Sequence, residues 1–441
     1  MSDIKKATRF TTLVILIAAF IAWMHDGYSL VLISLLADEL KSYFSITDTA
    51  IGLVISLQFV FTVPGAIFFG ELGDRFGRKK ALIFSIAWDA VFSSLTSLVP
   101  ANGFLWFAIL RMISGLGVSW GISFSLISEH FSSKRRGAAG GLVHSTFVIG
   151  YIGAIVTTLL IRPWQFCFLT ALFPLPFLIL FWFKLPESKI WSEYDKSVKK
   201  GRVKQKFRLK EIFSKKWLKL TIILAILFWF AETAYHALVD LAPVFFKYLF
   251  AILNAPITSP SQYNTPSLLY MLILMVIAAL GLFFFGFLSD YVGRKKAFLI
   301  DNIVGIVGGI LFAVFTLLIF NSTLILISAV FITLGFGLHG IFGVWSSELY
   351  DTEVRASANS IIFSIARGAS FGGFLVGLIS DILNPFRTDP FTNPFVSLQA
   401  LGTGMLLSLI AFIGVFIVLH FVPEPKDKKI VALSKESSFK S

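Results

Sequence analysis

The chain has 441 residues, of which 56% are hydrophobic and only 14% charged, and its mean hydropathy is +0.82. A soluble enzyme, a nucleic-acid binder or a disordered scaffold needs far more charged surface, so these classes are excluded at the outset. The formal net charge of +13 then matters less for its size than for its position along the chain.

A bilayer core about 30 Å thick is crossed by about 20 mainly apolar residues in a helix. Twelve such runs follow one another, near 11–37, 49–73, 81–99, 104–127, 138–161 and 164–184, then near 219–246, 267–288, 297–320, 322–345, 358–383 and 396–421. The first is too long for a signal-peptide core and has no small-residue cleavage site, so it is read as a span. The single cysteine, Cys167, permits no internal disulfide and no cysteine metal site, and is expected to pack as a small side chain.

Orientation follows from the basic residues between the spans. With the N-terminus inside, all but six of the 38 Lys and Arg fall on the inner side. The exceptions are Lys41, Arg162, Lys247 and Arg387 in outer loops and Arg111 and Arg367 within spans. Both termini are therefore expected in the cytoplasm of a multi-pass protein of the plasma membrane. The stretch Lys184–Lys219 carries thirteen basic residues and divides the chain into a bundle over 1–184, a basic linker over 185–218, a second bundle over 219–421 and a tail over 422–441. The linker portion 199–213 has the composition of a basic amphipathic helix for anionic lipid, and a plain connection between bundles is the competing reading.

The two halves repeat. Gly70-Glu-Leu-Gly-Asp-Arg-Phe-Gly-Arg-Lys-Lys-Ala81 follows the second span, and Gly286-Phe-Leu-Ser-Asp-Tyr-Val-Gly-Arg-Lys-Lys-Ala297 follows the eighth. Ser128-Glu129 precedes Arg136 as Ser347-Glu348 precedes Arg355, and Leu185-Pro-Glu187 is matched by Val422-Pro-Glu424. Asp74, Arg78, Glu129 and Arg136, with Asp290, Arg294, Glu348 and Arg355, are expected to form ion-pair sets that latch one conformation at the inner rim.

On these motifs the chain resembles the major facilitator superfamily of transporters over essentially its whole length. The resemblance implies an all-α membrane protein of two pseudo-symmetric six-helix bundles around a central cavity that opens alternately to each side. Two positions depart from the repeat. Ser289 stands opposite Gly73, and the second Glu-to-Arg segment carries Asp351 and Glu353 where the first is basic.

Ionisable residues inside a membrane cost several kcal/mol, roughly 2.5–3.5 on insertion scales, and usually mark a polar pathway. At about 1.5 Å per residue, Asp26 and Arg111 lie at similar depths, about 22 and 18 Å from the inner edge. They are read as a proton-coupling pair, with a permanent salt bridge as the alternative. Glu232, His236 and Asp240 share one face of the seventh span; Glu232 is taken as a second coupling group and His236 as its modulator and a substrate contact. Arg367, near the midplane of the eleventh span, suits a carboxylate because its planar fork binds both oxygens; the alternative is a structural partner for Glu232 or Asp301. Tyr28, Gln58 and His144 are further candidate substrate contacts, with Trp120 and Tyr151 as aromatic neighbours. Asp89 has no evident role. The pairs Gly117/Gly121, Gly305/Gly309 and Gly373/Gly377 are read as helix-packing sites.

The segment His25-Asp-Gly-Tyr-Ser29 is similar to the Asp-Gly-aromatic-Asp pattern of proton symporters for organic acids, and Lys134–His144, Gly150–Gly153 and Leu185–Trp191 fit the sialate/monocarboxylate branch. The resemblance implies proton-driven import of a small carboxylate, with no cofactor, no metal and no nucleic-acid partner, by a monomer whose partners are substrate, protons and lipid. Ser29 stands where the pattern has its second acid, so Asp26 would have to substitute for it. A sugar or neutral-metabolite porter is the alternative, and a membrane sensor a remoter one. No His-Glu-x-x-His or catalytic-cysteine motif occurs, and Gly-x-Ser-x-Gly is met only inside apolar spans, at Gly117–Gly121 and Gly368–Gly372, so an enzyme is not suggested.

Overall fold

The computed structural model describes residues 9–46, 48–131, 135–161, 163–201, 208–253, 264–351, 354–385 and 390–424, and the regular structure among them is helical throughout. Six helices long and apolar enough to cross a membrane precede the linker: Thr11–Leu35, Leu53–Phe76, Arg78–Leu98, Phe104–His130, Gly137–Leu160 and Trp164–Lys184. Six follow it: Leu218–Leu253, Pro266–Val292, Arg294–Leu318, Ser322–Leu349, Ser357–Leu383 and Pro394–Leu419. Phe183, Ile179, Phe284 and Ile310 stand exposed on the outside of the molecule, as lipid-facing side chains should, because hydrocarbon carries no penalty for them.

The helices extend further than the apolar runs, and the repeated charged segments explain why. These are not loops. The second span continues to Phe76 and the third begins at Arg78, while the eighth continues to Val292 and the ninth begins at Arg294. A single glycine makes each turn, Gly77 at φ 107° and Gly293 at φ 93°, in a region that L side chains rarely occupy.

Several of the described spans are interrupted at membrane depth. The fourth is Phe104–Gly115 plus Trp120–His130, the seventh Leu218–Val239 plus Ala242–Leu253, the tenth Ser322–Leu334 plus Leu338–Leu349, and the eleventh Arg355–Gly368 plus Gly372–Leu383. Broken backbone is tolerated at that depth only inside protein or beside a polar cavity. The tenth span restarts against Asp301, whose Oδ2 accepts from the Leu338 N–H at 2.7 Å. Its counterpart in the first half, Gly117, lies against the backbone and Cβ of Asp89.

Small residues bring the bundles together on the side that bears the basic segments. Gly286 of the eighth span lies on Gly141 of the fifth, and Gly121 of the fourth on Ser360 of the eleventh. Gly305 and Gly309 meet Phe412 and Leu409 of the twelfth span within one bundle, which is the packing role expected of them.

The described part of the linker packs on the protein. Its amphipathic helix is Lys189–Lys199, capped where Ser188 Oγ accepts from the Trp191 N–H at 3.1 Å. Ile190 and Tyr194 are buried, and Trp191 Nε1 donates to the Asp74 carbonyl at 2.9 Å. This apolar side faces protein rather than lipid. Of the expected lipid-binding stretch, residues 202–207 lie outside the described residues, as does the tail beyond 424.

Candidate functional site

Two matching networks close the basic face. In the first half, Arg78 Nη1 pairs with Asp74 Oδ1 at 2.7 Å and Nη2 with Glu129 Oε1 at 3.2 Å. The same Glu129 oxygen lies 3.2 Å from Arg355 Nη1 of the other bundle. Asp74 Oδ2 accepts from the Ser357 N–H at 3.1 Å and from its hydroxyl. In the second half, Arg294 pairs with Asp290 at 2.7 Å and Glu348 at 3.0 Å, and Asp290 accepts from the Gly137 and Ala138 N–H groups, each at 2.8 Å. Each aspartate thus sits at the start of a helix of the opposite bundle, where unpaired N–H groups and the helix dipole favour an anion. The side chain of Arg136 lies outside the described residues. Ser289 is explained: its hydroxyl accepts from Arg294 Nη1 at 2.6 Å, where Arg78 Nη1 instead uses the Gly73 carbonyl at 2.6 Å.

The Pro-Glu ends cap the same structures. Glu187 Oε1 accepts from the Arg78 N–H and Glu424 Oε1 from the Arg294 N–H, both at 2.8 Å, satisfying first-turn donors of the third and ninth spans. Burial pushes the Glu187 carboxyl above its ordinary pKa, against the pull of the Ser188 N–H, the Arg78 charge and the Lys79 and Arg78 N–H groups.

Above this closed face lies a central cavity shared by both bundles. Trp23, His144 and Phe147 line it from one side, and Glu232, His339 and Arg367 from the other. The Arg367 guanidinium carbon lies 4.9, 5.0 and 5.5 Å from the ring centres of Phe59, Phe147 and Phe363. Its Nε is buried without a hydrogen-bond partner, and no described carboxylate pairs with it. Both acids that the sequence offered as structural partners are engaged elsewhere. Asp301 caps the tenth span. Glu232 lies between two imidazoles, 3.4 Å from His236 Nε2 and 3.4 Å from His339 Nε2, and His236 Nδ1 reaches Asp240 at 3.0 Å. His144, with an unpartnered Nδ1, faces His339 at 5.7 Å between ring centres.

A second cavity adjoins the first, and Trp23, Phe363 and Arg367 line both. Asp26 opens on it and accepts from Ser119 Oγ at 3.0 Å. The expected Asp26–Arg111 pair is not formed. Arg111 instead donates to Ser93 Oγ at 2.7 Å, the Ser29 carbonyl at 2.8 Å and Gln58 Oε1 at 3.0 Å, with its guanidinium over Phe168. Equal depth along two helices fixes height, not the face from which a side chain leaves.

Gln58 is therefore an anchor for Arg111, and Tyr28 binds Thr170 Oγ1 and the Cys167 carbonyl; neither lines either cavity, against the expectation of a substrate contact. His236 acts on the cavity through Glu232 rather than from its wall. Trp120 stacks on Phe363 at 4.2 Å with 9° between the rings, and Phe228 on Phe342 at 3.9 Å and 9°. Phe363 lines the central cavity, and the other three rings pack behind it. Sequence reasoning missed His339 and gave no role to His25 or Asp89. Each is an ionisable side chain within a span, which was itself the available signal.

Comparison with known proteins agrees with this architecture. A family model described as Major Facilitator Superfamily matches residues 13–376. The sialic acid transporter NanX of Escherichia coli is 25% identical over 92% of this chain and 92% of its own. A cis,cis-muconate transport protein of Acinetobacter baylyi is 26% identical over 82% of this chain and 86% of its own. Among solved structures, the proton:xylose symporter XylE bound to 6-bromo-6-deoxy-D-glucose superposes with a TM-score of 0.74, at 19% identity, over 96% of this chain and 98% of that one.

Proposed function

The chain belongs to the Major Facilitator Superfamily, and from that premise we propose that it imports a small organic carboxylate together with protons, by alternating access of its central cavity. The protein is read as sitting in the plasma membrane as a monomer, with both termini and the latched basic face toward the cytoplasm. The observation that carries the substrate class is Arg367: a buried guanidinium, cradled by three phenylalanines, on the wall of the cavity, with no carboxylate in direct ion-pair contact among the described residues. A charge so placed is costly unless something completes it, and a carboxylate does so with two parallel hydrogen bonds. Two relatives support this class, being named for sialic acid and for cis,cis-muconate.

Coupling follows from the shared wall. Arg367 lines both cavities, with the substrate on one side and Asp26 on the other. An anion that takes up the Arg367 charge leaves the Asp26 carboxylate less supported, so anion binding and proton uptake favour each other. Loaded with both, the site carries no extra net charge, and the bundles are free to rock past the bilayer centre. Glu232, His236 and His339 supply a second titratable set beside the substrate.

Uptake into proteoliposomes of N-acetylneuraminate, lactate, benzoate and xylose, with and without an inward proton gradient, tests this reading. Gradient-stimulated uptake of an acid is expected. Stimulated uptake of xylose and of none of the acids would replace it with the neutral-metabolite porter.

A further inference from the structure

Beside the second cavity lies a cluster of which the coupling scheme above uses only Asp26. One ring nitrogen of His25 and one carboxylate oxygen each of Asp26 and Asp89 lie within 4.8 Å of one another. His25 is fully buried. Its Nε2 is 2.9 Å from the Ala171 carbonyl, which can only accept, so Nε2 carries hydrogen. Its Nδ1 faces Asp89 Oδ2 at 3.2 Å. A neutral ring with hydrogen on Nε2 presents a lone pair at Nδ1, and an ionised carboxylate presents another. The contact is attractive only when one further proton sits between the two groups, on either atom.

Asp89 is also placed with respect to the first span. Its Oδ1 accepts from Ser29 Oγ at 3.1 Å, at the position where the organic-acid pattern carries its second acid. The charged groups facing this cluster from neighbouring spans are Arg111 and Arg367. Arg111 connects to it through Ser93 and the Ser29 carbonyl, and Arg367 lies on the wall of the same cavity.

We propose that the transported proton is held by the His25–Asp89 pair and exchanged with the cavity through Asp26, so that an acid on the third span does the work of the one missing at position 29. This rests on the reading of the chain as a proton-coupled carrier and assigns the site within it. The step is a simple transfer: the N–H or O–H bond of the pair breaks, an O–H bond forms on Asp26, and the proton then leaves to water in the second cavity. No other reactant is needed.

The test uses purified full-length protein in proteoliposomes, with labelled N-acetylneuraminate, lactate or benzoate as substrate and a pH dye inside. For wild type carrying one proton per anion, a gradient of one pH unit supports about tenfold accumulation. In Asp89→Asn the accumulation ratio is expected to fall to about one, and substrate entry to carry no proton signal. Counterflow, which needs binding and reorientation but no net proton movement, should fall by less than about threefold, since the coupling free energy and the binding free energy are separate quantities. His25→Gln should behave likewise. Should Asp89→Asn not fold, Ser29→Asp combined with Asp89→Ser returns the acid to the first span and should restore accumulation. Proton-driven accumulation that survives in Asp89→Asn, or accumulation driven equally by a sodium gradient, overturns the assignment. Wild-type protein that ignores the proton gradient overturns the proton-coupled reading itself.

Discussion

Glu129 of the fourth span and Arg355 of the eleventh meet at 3.2 Å across the boundary between the bundles. The same glutamate oxygen is held by Arg78 from its own bundle at 3.2 Å. Opening the basic face must part Glu129 from Arg355 while the Arg78 contact, within one rigid bundle, persists. This is how an ion-pair set can be both a structural element and a releasable latch.

Removing one partner of a buried ion pair costs about 3–5 kcal/mol. Glu129→Gln is therefore expected to open the basic face in the absence of substrate. The readout is thiol labelling of Ser360→Cys, which packs against Gly121 at the bundle boundary, in a Cys167→Ser background. Labelling from the basic side should rise at least about tenfold over the same cysteine with Glu129 intact. Unchanged labelling would show that the glycine seam, not the ion pair, holds this face shut.

The Pro-Glu ends predict a stability effect without a transport effect. Glu187→Ala and Glu424→Ala each remove an acceptor from first-turn donors, a loss of about 0.5–2 kcal/mol for a helix cap. Thermal unfolding in detergent should shift down for each and further for both together. A single substitution that abolishes transport with no change in unfolding temperature would contradict the capping role.

Trp120 and Phe363 predict a leak. Phe363→Ala removes a ring stacked across the bundle boundary at 4.2 Å and leaves a void, at a cost of about 3–5 kcal/mol. Proteoliposomes carrying this variant should dissipate an imposed proton gradient faster than wild type with no substrate present. Equal leak rates would place the seal elsewhere.

Much of this was legible in the sequence. Twelve apolar runs, six on either side of a basic stretch, and a motif repeated after the second and eighth spans point to two related bundles. Where the reading failed, the reason is geometric. The charged repeats lie beyond the apolar runs because their residues are polar, yet Arg78 and Arg294 begin helices immediately after a one-residue glycine turn. The Asp26–Arg111 pairing failed because residue count gives depth and not azimuth: Asp26 does meet the fourth span, but at Ser119, while Arg111 turns to Ser93 of the third. Asp89 had no role in the sequence because its partner, His25, is sixty-odd residues away on another helix and follows no period that pattern reading detects. Residue type and depth make Arg367 a candidate carboxylate contact, and the packing adds that Glu232 and Asp301 are engaged elsewhere.

Arg367 is also the sharpest test of the substrate class. Lysine at this position keeps the charge but loses the planar fork and its stacking on Phe59, Phe147 and Phe363. The decisive measurement is simultaneous recording of internal pH and labelled N-acetylneuraminate, lactate or benzoate in proteoliposomes of wild type and Arg367→Lys. The account predicts proton entry that tracks acid entry in wild type, and a KM for the acid at least about tenfold higher in the variant, the equivalent of one lost charge-assisted hydrogen bond. Acid uptake with an unchanged KM in Arg367→Lys, or proton entry triggered by xylose and by none of the acids, would contradict it.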